Sequence, residues 1–196
     1  MQTARPSFIV GIGGSAGGVV AYKALLDALP RDTGMAFVIV SHFVPNANSE
    51  LALILSSHTK MPVVVASMAM PLLADHVYVC PPNANLLIED QAFKLVFPRT
   101  RNRQVDLLLT SLAEDQGSRA VAVILSGYDG DGTEGCRKIR ASGGTTFTQD
   151  GSAEVGGMPL SAQSSGCVDF VLPPARIAAA LQGLARAARR KKVAGP

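Results

Sequence analysis

Tryptophan is missing from this 196-residue chain, and all aromatics together reach only 5%. Aliphatic and alanine packing must therefore build the core, and no basic stripe interleaved with aromatics is present to stack nucleic-acid bases. Cysteine is scarce: Cys80, Cys136 and Cys167 are odd in number and widely spaced, with no CxxC pair. That excludes a disulfide framework and predicts reduced, partly buried thiols of a cytosolic protein. No apolar run approaches the roughly 18 residues of a membrane span, and the N-terminal MQTARPS holds no apolar signal region. The expectation is a soluble, cytoplasmic protein without membrane insertion. Acid is lacking from the last 11 residues, where Arg186, Arg189, Arg190, Lys191 and Lys192 supply more than the whole formal charge of +3 and leave the body at −2. Such a run reads as a solvated helix end, with contact to an acidic partner or nucleic acid as the alternative.

What is present is globular: 47% of the residues are hydrophobic and 17% charged. Strands are expected at Phe8–Val10, Ala36–Val40, Val63–Ala66, Val77–Cys80, Val121–Leu125, Thr145–Thr148 and Val168–Val171. Helices are expected near Gly18–Leu29, Ser49–Ser57, Val105–Asp115, Thr133–Ser142 and Pro174–Ala188. Continuously apolar strands alternating with helices predict a doubly wound α/β fold, mainly parallel and buried on both faces. Residues 77–97 break the rhythm and read as a hairpin at a sheet edge. With no linker in view, residues 1–196 are expected as one domain, a core of about 7–182 followed by the basic tail.

In open parallel sheets ligands sit beyond the carboxyl ends of the strands, so the residues after each strand carry the chemistry. After the first stands GIGGSAGG, residues 11–18. Gly11-x-Gly13-x-x-Ala16 fits the loose dinucleotide fingerprint, but the second strand ends in Ser41-His42-Phe43 without the ribose-binding acid, and no Gly-Lys-Ser/Thr follows for a Walker loop. The same stretch contains Gly13-x-Ser15-x-Gly17, a nucleophile elbow in which a tight strand-to-helix turn lifts a serine hydroxyl toward helix N-terminal amides. The plainer alternative is that Ser15 only caps the helix. His42, after the second strand, is the natural base; His58 closes a helix pattern, and His76 lies toward the amino edge of the sheet. An orienting acid is offered after a third strand by SGYDGDG, residues 126–132. Asp129 and Asp131 compete for that role, and Asp131-x-x-Glu134 also reads as a capping box for the helix at Thr133–Ser142. Neither register of DGDGTEG fits a calcium loop, because the turn glycine and outer ligands fall on the wrong residues. No metal site and no cofactor are expected.

With these residues identified, the chain resembles the catalytic domain of the CheB-type chemotaxis protein-glutamate methylesterases. The resemblance runs in order through GIGGSAGG, VIVSHFVP, HVYVCPPN, VDLLLTSLAEDQG, VILSGYDGDGTEG, GGTTFTQD and GGMPLSAQSSGCVDFVLP, about residues 7–182. It implies a doubly wound α/β fold and hydrolysis of glutamate γ-methyl esters on chemoreceptor cytoplasmic helices, with deamidation of certain glutamines. It also implies Ser15 as nucleophile, His42 as general base and Asp131 as orienting acid. The backbone near Ala16 and Tyr128 is implied as the oxyanion site, with Met158 beside the cleft. Ala16 stands where many members have threonine, and Tyr128-Asp129 replaces Met-Gly or Thr-Gly, so a bulkier and more acidic rim is expected. The resemblance also implies that this chain lacks the phosphorylatable receiver of the two-domain enzymes. A monomer is expected. The alternative is a signalling module of the same fold whose catalysis is weak or lost.

Overall fold

The computed structural model describes residues 5–41 and 48–193. Its centre is a seven-stranded sheet whose pairings are all parallel, built from β1 (Ile9–Gly14), β2 (Ala36–Ser41), β3 (Val63–Val65), β4 (His76–Val79), β7 (Ala120–Ile124), β8 (Thr145–Gln149) and β9 (Phe170–Leu172). The order across the sheet is β3-β4-β2-β1-β7-β8-β9, so the chain reverses its winding direction at β1. Between β4 and β7 come β5 (Asn85–Glu89) and β6 (Ala92–Val96), which pair antiparallel. The expected hairpin therefore forms, but as a separate two-stranded sheet and not by bonding into an edge strand. It covers the helix that follows it, with the Ile88 amide donating to Ser111 Oγ at 3.0 Å.

Side-chain alternation explains the layers. On one face of the sheet Ile9, Val38, Val40, Ala122 and Ile124 meet α3 (Gln104–Gln116), α4 (Thr133–Ala141) and α5 (Gly157–Ser164). On the other, Val10, Ile12, Phe37, Ile39, Val121 and Val123 meet α1 (Gly18–Asp27), α2 (Asn48–Ser56) and α6 (Pro174–Val193). Neighbours on a strand point to opposite faces, so the continuously apolar runs fill both clusters at once. Each fully buried Leu, Ile or Phe contributes about 1.5–3 kcal/mol. All three cysteines are buried, and none forms a disulfide.

Besides the hairpin, two elements differ from the sequence expectation. β1 runs on through Gly14 where a turn was expected from Gly11, because the glycines serve close approach and not bending. A β-carbon at Gly13 would collide with the Val105 side chain, so glycine there lets the start of α3 lie directly on the strand. α5 went unread because GGMPLSAQ carries two glycines, a proline and no amphipathic period; Pro159 is third in the helix, where a missing amide costs no hydrogen bond.

Candidate active site

The carboxyl ends of β1, β2 and β7 are adjacent, and Gly14 pairs in register with Ser41. Ser15 follows β1 in a turn whose geometry is fixed by the backbone: its amide donates to Ser126 O at 2.8 Å, and its carbonyl accepts the Gly18 amide at 2.9 Å. The α1 N-cap is Gly17, at φ 73°, and no side chain caps this helix. Ser15 thus does not serve as the cap, and its half-buried side chain stands at the crevice.

Ser126, completely buried, ties the elements together. Its hydroxyl donates to Ala16 O at 2.7 Å and accepts the Val155 amide at 2.9 Å, while its amide donates to Gln149 Oε1 at 3.0 Å. The elbow after β1, the loop after β7 and the segment before α5 are sewn into one wall. A residue larger than glycine at 127 would strike Met158 and crowd Ser15, so this position sets how closely the loop passes the Ser15 turn. Met158 is fully buried beneath Gly127, whose carbonyl accepts the Met158 amide at 2.9 Å; its side chain supports the loop from below. Tyr128, by contrast, is 71% exposed on the rim. Among the described residues, the amides of Ala16 and Tyr128 donate to no backbone or side-chain acceptor.

The Asp131 carboxylate is buried, with 2% of the residue exposed. It does not cap α4: the N-cap there is Gly132, and Glu134 pairs instead with Arg137 at 3.0 Å. The capping-box expectation is thereby corrected. Asp131 turns to α3, where Oδ2 accepts the Val105 amide at 2.9 Å and Oδ1 the Asp106 amide at 2.8 Å. These donors at the positive end of a helix hold the carboxylate in one orientation. Asp129 is used locally, its carboxylate accepting the Asp131 amide at 3.0 Å.

His42 lies outside the described residues. The other histidines are remote: His58 Nδ1 is 3.0 Å from Asp27 at the end of α1, and His76 begins β4 at the amino edge, its Nδ1 2.8 Å from Ala74 O. Among the described residues no group of three His, Cys, Asp or Glu side chains is arranged to hold a metal.

The wall formed by Ser15, Ser126 and Asp131 can be set beside known proteins. The family model described as CheB methylesterase matches residues 10–181. The chain belongs to the CheB methylesterase family. The crystal structure of the Thermotoga maritima CheB methylesterase catalytic domain superposes with a TM-score of 0.87 at 31% identity, covering 92% of this chain and 100% of that one. A Paramagnetospirillum magneticum protein named protein-glutamate methylesterase/protein-glutamine glutaminase 3 is 38% identical over 88% of this chain, which spans 50% of that relative. A Leptospira interrogans protein carrying a provisional form of that name is 36% identical over 85% of this chain and 89% of its own length. The fold expected from the sequence is the fold of this family, and the enzyme class is that of a methylesterase.

Sequence reading did not reach Gln149, Asp106 or the binding role of Ser126. A polar residue directly after an apolar strand (VIL before Ser126) is the signal that marks the last of these, whereas Gln149 ends the largely polar β8 and carries no such mark.

Proposed function

We propose that the protein hydrolyses glutamate γ-methyl esters, and deamidates glutamines, on the cytoplasmic helices of chemoreceptors, with Ser15 as nucleophile, His42 as general base and Asp131 as orienting acid. The observation that carries this reading is the Ser15–Ser126 backbone bond, which joins the nucleophile's turn to the loop bearing a buried, amide-held Asp131. The register supports the base as well: Gly14 and Ser41, the residues just before Ser15 and His42, are paired.

In the reaction Ser15 Oγ attacks the ester carbonyl as His42 takes its proton. The carbonyl oxygen becomes an oxyanion, which the amides of Ala16 and Tyr128 stabilise. His42 then returns the proton to the departing methoxide, methanol leaves, and a glutamyl-Ser15 ester remains. Water activated by His42 hydrolyses it and restores the serine. General acid–base catalysis contributes about 10²–10⁴-fold, and one oxyanion donor about 10²–10³-fold. Beside the Ser15 turn, an open groove bordered by Val20, Ala24, Pro173 and Pro174 gives an apolar surface for the residues flanking the ester on a polypeptide.

Methanol release from methylated receptor cytoplasmic fragments tests the proposal. The wild type should release it and Ser15→Ala should not, with a melting temperature close to wild type because no side-chain cap is lost. Turnover by the alanine variant near the wild-type rate would overturn the assignment.

A further inference from the structure

The first turns of α3 and α4 meet beneath the loop after β7 and hold each other through two aspartates. Asp131, just before α4, accepts the amides of Val105 and Asp106 in α3 at 2.9 and 2.8 Å. In the opposite direction, Asp106 Oδ1 accepts the amides of Gly132, the α4 N-cap, and of Gly135 in its first turn, at 2.9 and 2.8 Å. Four hydrogen bonds form one closed arrangement, and Asp106 takes part from both sides, its amide giving and its carboxylate receiving. The α3 half is anchored independently, since Val105 sits against Gly13 two residues before Ser15. At the start of α4, Gly132 lies at φ 95° and packs against Ile124 and Val105, the Thr133 hydroxyl meets Ser161 Oγ at 2.9 Å, and the side chain that reaches the helix's first amides is that of Asp106.

We infer that Asp106 is a positioning residue for hydrolysis, fixing the Gly132 amide and so the direction in which the adjoining Asp131 carboxylate is held. The inference rests on the reading of Asp131 as the orienting acid. Its physical content is that a buried carboxylate keeps one orientation only if its backbone is as constrained as its oxygens. The bonds from Val105 and Asp106 constrain the oxygens; the Asp129 carboxylate holds the Asp131 amide, and the Asp106 carboxylate holds the backbone on its far side through Gly132. Displacing a catalytic group by about 1 Å costs up to about a hundredfold in rate.

The test measures kcat and KM of the full chain on a small activated ester for Asp106→Ala, Asp106→Asn, Asp131→Asn, the Asp106→Ala/Asp131→Asn double variant and Ser111→Ala. Ser111 lies farther along α3, accepts the Ile88 amide and serves as a control for lost helix stability. Asp106→Ala should lower kcat about ten- to a hundredfold with KM within about twofold. Asp106→Asn, which keeps the Oδ1 acceptor, should stay within about threefold. Ser111→Ala should keep wild-type kcat at a comparable loss of melting temperature. The double variant should be no slower than Asp131→Asn, because a residue acting through Asp131 has nothing left to position. Additive losses, an Asn variant as slow as the Ala variant, or wild-type kcat in Asp106→Ala would overturn the inference. An Asp131→Asn variant of wild-type activity would instead overturn the orienting-acid reading, and the inference with it. If Asp106→Ala fails to fold, Asp106→Ser is held to the same pattern.

Discussion

Two aspartates two residues apart in one loop have different surroundings. The Asp129 carboxylate accepts the amide of Asp131 in its own turn, whereas Asp131 is buried on the amides of α3. Loss of the orienting charge in a Ser-His-Asp system costs up to about 10⁴-fold. Asp131→Asn should therefore lose at least about a hundredfold in ester turnover, and Asp129→Asn should stay within about tenfold; the reverse ranking on the same ester would refute the assignment. Asp106 adds a titration. Burial raises its carboxyl pKa, the bond from Gly135 opposes the rise, and the Asp131 charge adds to it, with Arg103 working against it. A carboxyl raised on folding is most favourable below its unfolded value, and its contribution falls as pH climbs through the raised value. Asp106→Asn, which carries no such charge, should thus melt above the wild type at pH 7, and the gap should shrink toward pH 4; thermal melts across that range check it. Ser15 and Asp131 stand out as candidates in the sequence because glycines and acids after apolar strands are conspicuous. Asp106 was not, since within VDLLLTSL it reads as an ordinary first-turn acid of a helix.

Among the elements, strands and long helices came from the sequence within a few residues, while the helix at Gly157–Ser164 did not. Its glycines and Pro159 weaken local propensity, and it is held by packing of Met158 and Ala162 on the sheet. α6 shows the opposite balance. It starts after β9 at the carboxyl edge and runs down the sheet, so that Arg189 donates to Asp32 O at 3.1 Å, ahead of β2 on the amino side. The described arginines of the basic run therefore lie at the end of the sheet opposite Ser15. Deleting residues 186–196 spares the buried Ile177, Ala178, Leu181 and Ala185. Hydrolysis of a small ester should be unchanged, and the melting temperature should fall by about 2–4 °C for roughly 1 kcal/mol of lost contacts. A reduced ester rate would show that the run reaches the site.

At the scale of the whole molecule, the winding reversal at β1 brings the ends of β1, β2 and β7 together, and the proposed chemistry needs only the groups gathered there. Ester hydrolysis should accordingly survive prolonged treatment with a strong chelator followed by gel filtration. Activity lost to the chelator and restored by a divalent cation would refute a serine mechanism free of metal. Local pattern alone determined the alternation of strands and helices, the doubly wound class, and the order of Gly13-x-Ser15-x-Gly17, His42 and SGYDGDG along the chain. These depend on residues close in sequence, where apolar period and turn chemistry act. Tertiary structure decided which helix Asp131 caps, that the hairpin stands apart from the sheet, and that Ser126, Gln149 and Asp106 brace the wall around Ser15. The partners in those bonds lie 23 to 110 residues apart, and only packing of the two layers on the sheet brings them within hydrogen-bonding distance.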